Sequence, residues 1–219
     1  MTPRTPPNNA SVALKRDQSN KLFSPSAARN VNAICSALKS VAPAAGNALE
    51  IASGTGQHIV SFAAAIPNIL WHPTDVEASR ITSIQSYIDD SLLPNIAKPI
   101  LLNATQIGWS ANIRPMVLIS LSNLFHLISA SEAKTLIGET AKTLAFQGTF
   151  FLYGPFKRGE KFTSQGDKNF DESLRASDPD IGYKDKNWII QIAKENGLIL
   201  DQAIEMPANN LALIFGKAG

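Results

Sequence analysis

The spacing of hydrophobic positions changes period repeatedly along the chain. In "SPSAARNVNAICSALKSVAP", Val31, Ile34, Cys35 and Leu38 recur at helical spacing, which predicts a helix. Ser24 suits its N-cap, Pro25 its first position, and Pro43 closes it. "NALEIAS" reads as a short buried strand that turns at Gly54 and Gly56 into a helix, "QHIVSFAAAI", stopped by Pro67. "ILWHPTD" predicts a second strand ending on Asp75, and "SRITSIQSYIDD" a helix. "KPILLNA" and "MVLISLS" predict the third and fourth strands. Ser131 is the expected cap of the helix "EAKTLIGETAKTLAF", whose Ala133, Leu136, Ile137, Thr140, Ala141 and Leu144 share one face. Gly148 is expected to end that helix before a fifth strand, "TFFLYGPF". "DKNWIIQIAKENG" follows as a helix with Asp185 as N-cap and Gly197 as stop. "LILDQAIEM" and "NNLALIFGK" close the chain as two strands with no helix between them.

Strands alternating with helices predict an α/β fold, a sandwich around a mostly parallel seven-stranded sheet. The last two strands differ, because a short connection joins only antiparallel neighbours. Residues 1–20, rich in Pro, Asn and polar groups, are expected to form a loose tail, and residues 21–219 a single domain. The polar stretch 157–184 shows no clear period and is expected to act as a lid or acceptor loop. Its Lys157, Arg158 and Lys161 suit an anionic acceptor, or a solvated surface.

The chain of 219 residues is 44% hydrophobic and carries a formal charge of +2, which gives no basis for expecting a nucleic-acid partner. A single cysteine, Cys35, excludes a disulfide framework and points to a reducing, cytoplasmic setting. The longest apolar run, "MVLISLSNLFHLI", is too short and too polar to span a bilayer, so no membrane partner is expected.

Chemistry enters at the first strand-turn-helix unit. In open α/β sheets, ligands bind beyond the carboxyl ends of the strands, where the strand order reverses. Gly54 and Gly56 let a ligand approach the backbone, and Asp75 follows Gly56 by 19 residues, the spacing of a ribose-binding acid. A dinucleotide site prefers a third glycine, but Ile59 occupies that position. Glu50, four residues before Gly54, is placed to accept from an ammonium group. Both features favour S-adenosylmethionine over a nicotinamide dinucleotide.

The stretches "SPSAARN", "LEIASGTGQH", "WHPTD", "LYGPFKRGEKFTSQGDKNFDESLRASDPDIGYKD" and "MPANNLALIF" together resemble the methyltransferase-like family known as domain of unknown function 938, from about Leu22 to Lys217. The resemblance implies a Rossmann-like class I methyltransferase fold, a three-layer αβα sandwich, with S-adenosylmethionine as cofactor and S-adenosylhomocysteine as product. It places Glu50, Gly54 and Gly56 in the glycine-rich motif and Asp75 at the ribose. Asn103 stands where the family has an aspartate facing adenine, with Ala104 beside it and Leu121 on the fourth strand completing the cofactor set. "LSNLFH" keeps the family's Asn123, expected at the substrate, and His126. The resemblance also brings Arg29 and Asn30 over the cofactor, with Arg29 facing the methionyl carboxylate.

Methyl transfer from a sulfonium is an in-line displacement that depends mainly on alignment and exclusion of water. His126 is the candidate base at the methyl end, or a structural histidine, and Tyr153 lines the acceptor pocket or packs as a half-buried aromatic. Lys157 and Arg158 join Asn123 as substrate-side candidates. His58 and His72 lack a neighbouring carboxylate-histidine cluster, so no metal site is expected. The expected activity is methyl transfer to a small molecule. Two alternatives stand beside it: a non-catalytic cofactor- or partner-binding protein on the same fold, and a nicotinamide-dependent oxidoreductase.

Overall fold

The computed structural model describes residues 13–15 and 20–217. Its strands and helices, in chain order, are β1 (Leu14–Lys15), β2 (Leu22–Phe23), α1 (Pro25–Val41), β3 (Gly46–Ile51), α2 (Gln57–Ala65), β4 (Ile69–Asp75), α3 (Ala78–Ser91), β5 (Ile100–Leu101), β6 (Met116–Ser122), α4 (Ala130–Thr143), β7 (Leu144–Pro155), α5 (Gln165–Ser177), α6 (Lys186–Glu195), β8 (Leu198–Glu205) and β9 (Asn210–Lys217). Short 3-10 turns lie at Trp109–Asn112 and Phe125–Leu127.

The main sheet has the order β5-β4-β3-β6-β7-β9-β8. Strands β3 to β7 pair in parallel, and β9 runs antiparallel to both β7 and β8. The alternation of side chains sorts the core into two layers. Ala48, Leu118, Phe151 and Ile214 pack under α1, α2 and α3 with Ile34, Leu38, Phe62 and Ile84. Leu49, Ile119, Leu121, Phe150 and Leu152 face α4 and α6, meeting Leu136, Ile137 and Ile189. The predicted sandwich, seven strands and closing hairpin are all present.

Several local expectations need correction. Ser129, not Ser131, caps α4: its hydroxyl accepts from the Glu132 amide, and the Glu132 carboxylate accepts from the Ser129 amide. Gly148 does not end that helix. The chain leaves it at Leu144, whose ψ of 133° is extended, and Leu144 pairs at once with Met116. Gly148 lies within β7, where a Cβ would come 2.9 Å from the Ala145 carbonyl oxygen. The third predicted strand shrinks to Ile100–Leu101 at the sheet edge. Within 157–184 the chain forms α5, capped by the Ser164 hydroxyl accepting from the Asp167 amide. Most of the expected loose tail, residues 1–12 and 16–19, lies outside the described residues, but Leu14–Lys15 pairs with Leu22–Phe23.

Candidate functional site

The chain leaves β3 toward β4 and β5 on one side of the sheet, whereas β6 and β7 lie on the other. The strand order therefore reverses between β3 and β6, and a crevice opens beyond their carboxyl ends. Registered partners in a parallel sheet share a face. Glu50 is opposite both Pro73 and Ser120, and Ser122 is opposite Tyr153. Alternation along each strand puts these side chains on the layer beneath α1, which covers Ala48 and Leu118 two residues earlier.

This strip holds a concentration of polar atoms without partners. Glu50 is 3% exposed and Ser120 1% exposed. Glu50 Oε2, Ser120 Oγ and Ser122 Oγ are all buried and make no hydrogen bond. A buried polar atom left unpaired costs about 1–3 kcal/mol, so three on adjoining strands mark a place built for a polar ligand. Burial raises the Glu50 carboxyl from its ordinary 4.5 to about 8; a Ser53 hydrogen bond lowers it and the neighbouring Asp75 charge raises it further.

The glycine turn is tied to the end of β4. The Ser53 amide donates to the Thr74 carbonyl at 2.7 Å, and the Thr74 hydroxyl donates to the Glu50 carbonyl at 2.9 Å. Asp75 accepts from the Gly54 amide at 2.9 Å and from the Glu77 amide at 3.1 Å. Burial raises its pKa, partly offset by those two amides. The two glycines have different reasons for being there. At Gly54, with φ of +61°, the nearest atom to a Cβ would be Arg80 Nη1 at 3.7 Å, so this side remains open to a ligand. At Gly56, with φ of +96°, a Cβ would meet Ile84 Cα at 2.8 Å. Gly56 thus lets α3 pack against the turn, a structural role where the sequence suggested ligand approach.

The other expected residues divide between the crevice and the scaffold. Asn103 follows β5, beside a cleft of about 300 Å³ between residues 101–103 and 106–109. Its Oδ1 is taken up by the Thr105 amide at 3.0 Å and hydroxyl at 2.7 Å, so the acceptor expected for adenine is engaged within the chain. Ala104 is buried, its carbonyl accepting from the Trp109 indole at 3.0 Å. Leu121 is fully buried in the layer facing α4, so its side chain lies across the sheet from Glu50. Asn123 leaves β6 with φ of +58°, its amide donating to the Tyr153 carbonyl at 2.9 Å.

His126 is 5% exposed, and its Nδ1 is buried without a hydrogen bond. Burial, aided by the Lys184 charge, lowers its pKa to about 3 and keeps the ring neutral. The imidazole is flanked by Phe170 at 5.8 Å and Tyr183 at 6.2 Å between ring centres. Tyr153 is 1% exposed rather than lining an open pocket; burial raises its hydroxyl pKa, partly offset by the Asn30 and Asn210 side chains nearby. Arg158 is committed to Glu205 at 2.6 Å and to the Asn209 carbonyl at 3.3 Å, which removes it from the expected attraction of an anion. Lys157 Nζ sits 4.8 Å from the centre of the Phe162 ring. Arg29 is exposed and donates to Ser26 at 3.3 Å. His58 and His72 pair with Asn30 and Asn47, and among the described residues no group of three His, Cys, Asp or Glu gathers around one point.

The sequence reading missed Ser120 and Ser122. Their signal was present in "MVLISLS", where two serines at alternate positions interrupt an apolar strand at its carboxyl end.

Comparison with solved structures places this architecture among methyltransferase folds. A putative O-methyltransferase from Nostoc punctiforme PCC 73102 aligns with a TM-score of 0.74 at 15% identity, over 85% of this chain and 56% of its own. Human N-acetylserotonin methyltransferase, in complex with SAM, aligns at 0.73 with 10% identity, over 89% and 53%. An O-methyltransferase family 2 protein from Planctomyces limnophilus DSM 3776, in complex with apigenin, aligns at 0.73 with 13% identity, over 88% and 60%. The chain thus spans little more than half the length of each. The family described as protein of unknown function DUF938 matches residues 21–217, almost the whole of the sheet and its helices. By that match the chain belongs to the DUF938 family, built on the Rossmann-like methyltransferase fold.

Proposed function

We propose that this protein is an S-adenosylmethionine-dependent methyltransferase acting on a small molecule. The observation that carries the reading is the strip of unpaired buried groups, Glu50 Oε2, Ser120 Oγ and Ser122 Oγ, at the reversal point of the sheet. Such a strip suits a ligand whose one end is a zwitterionic amino acid, with Glu50 accepting from its ammonium and the serine hydroxyls accepting from the ammonium or donating to the carboxylate. Asp75, at the end of β4, suits the ribose hydroxyls, and Gly54 leaves its side of the turn open. The structural neighbours support the same cofactor, since one of them is a SAM complex on this fold.

Bound there, S-adenosylmethionine would supply an activated methyl group. The chain's own part is then to orient the cofactor and exclude water, effects that reach about 7–11 kcal/mol. Neutral His126, with a free Nδ1, can accept a hydrogen bond from an acceptor that arrives protonated and so orient it, while its low pKa disfavours its keeping the proton. Calorimetry with S-adenosylhomocysteine is the test. Binding at micromolar to submillimolar concentration is expected, and no heat at millimolar concentration would overturn the assignment.

A further inference from the structure

The cofactor end marked by Glu50 is closed, and the way it is closed is uneven. Glu50, Ser120 and Tyr153 are each no more than 3% exposed beneath α1. A ligand reaches their polar atoms only if part of this cover moves. The carboxyl half of α1 is anchored in the core by Ile34 and Leu38, both fully buried. Residues 22–30 contribute no fully buried side chain, and several hydrogen bonds tie them to the neighbouring elements.

Those contacts converge on the glycine turn and its neighbours. Ser83 Oγ accepts from the Leu22 amide at 2.8 Å and donates to the Thr55 carbonyl at 2.7 Å. Gln57 Oε1 accepts from the Ser24 amide at 2.6 Å and from the Thr55 hydroxyl at 2.9 Å. The Tyr87 hydroxyl donates to the Leu22 carbonyl at 3.1 Å. Asn30 Oδ1 lies 2.9 Å from His58 Nε2, and the Asn30 side chain lies close to the Tyr153 hydroxyl. Water replaces a hydrogen bond at small net cost, whereas withdrawing buried Ile and Leu from a core does not have such a substitute. The amino half of α1 is therefore the less firmly anchored part.

We propose that residues 22–30 form a gate over the amino-acid end of the cofactor site, and that Asn30 is a positioning residue that latches it. This rests on the cofactor reading above. Asn30 is well suited to the task because its side chain joins α1 to α2 through His58 and lies beside Tyr153 of the sheet. Closure also bears on the turn itself, since Ser83 and Gln57 each hold the gate and Thr55 together.

Hydrogen exchange on the full chain, with and without S-adenosylhomocysteine, tests the motion. In the free protein, amides 28–33 are expected to exchange at least tenfold faster than amides 35–41. Adding the ligand should slow the first group at least tenfold and leave the second unchanged. Stopped-flow binding tests the latch: Asn30→Ala should raise association and dissociation rates together, each at least fivefold, because the gate opens more often. Asn30→Asp, which keeps an oxygen for His58, should lie closer to the parent. Gln57→Ala gives the same readout should Asn30→Ala fail to fold. Uniform protection along α1 in the free chain, or variants that raise only the dissociation rate, would overturn the gate. Absence of any binding would instead remove the cofactor reading, while exchange in the free chain still judges the motion.

Discussion

Glu50 lies between Pro73 on one neighbouring strand and Ser120 on the other, under α1 and close to Cys35, whose thiol burial and the Glu50 charge raise to about 11. Between pH 4.5 and about 8 the folded chain keeps a proton on Glu50 that the unfolded chain has released. This group therefore makes stability fall as pH rises through that window. Glu50→Gln should remove that slope and leave the variant more stable than the parent at pH 8, by on the order of a few kcal/mol in urea melts. With a cationic ligand the sign reverses, because the ammonium favours the carboxylate. The parent's affinity for S-adenosylhomocysteine should rise from pH 6 to 8 with release of a proton, seen as a buffer-dependent binding enthalpy, and Glu50→Gln should bind weakly at all pH values. Asp75→Ala should cost about 1–3 kcal/mol of ligand affinity by calorimetry, through lost charge-assisted hydrogen bonds. An unchanged affinity in a folded variant would remove Asp75 from the site. Both acids were legible from their spacing about the glycine turn. The unpaired serines were not read, because their meaning depends on which face of β6 meets Glu50.

Elements were legible where periodicity was strong. Strands β4 and β6 match their expected runs residue for residue, and α1 begins at the predicted Ser24 and Pro25. Element ends were harder, because caps depend on single side chains. Ser129 and Glu132 form an S-x-x-E capping box within "SASE", where the carboxylate three residues on makes Ser129 rather than Ser131 the cap. Ser129→Ala should destabilise the protein by about 1 kcal/mol in thermal melts, with Ser131→Ala close to neutral. An equal loss for both would contradict the observed cap. Helix α5 escaped notice because Leu174 and Asp171 are its only buried residues, too few to set a period. The Gly56 turn supplies a sharper test of element packing. Gly56→Ala forces a positive φ on an L-residue and pushes a methyl group toward Ile84 Cα, so a loss of roughly 2–4 kcal/mol is expected. Gly54→Ala, without that collision, should cost about 1–2 kcal/mol by backbone strain alone.

At the scale of the molecule, two buried histidines set the acid limb of stability. Burial lowers His58 to about 4 and His126 to about 3. The unfolded chain binds protons at both below about pH 6.5, whereas the folded chain does not, so these two groups lower stability as pH drops from 6.5 toward those values, against the opposite slope of Glu50. Measured in Glu50→Gln, which removes the opposing slope of that carboxyl, denaturant melts should show a loss on the order of 1–3 kcal/mol between pH 6.5 and 5, reduced by about half when His126→Gln is added. A flat profile would mean that the rings are not buried neutral. Neither histidine announced its burial in the sequence, since a lone imidazole between apolar residues reads equally well as half-exposed.

What the sequence determined by itself was the local chemistry: the alternation of strands and helices, the glycine turn, the paired acids around it, and the family to which these motifs belong. Those features arise from contacts within some twenty residues, where spacing and side-chain type suffice. Only the tertiary structure decided that β3 and β6 become neighbours, that Ser120 and Ser122 thereby join Glu50, that Leu121 faces the other layer, and that Arg158 is bound to Glu205. Each of these depends on strand order and register, which bring together residues 40 to 70 positions apart, and no local pattern encodes which of two faces a polar atom will find there.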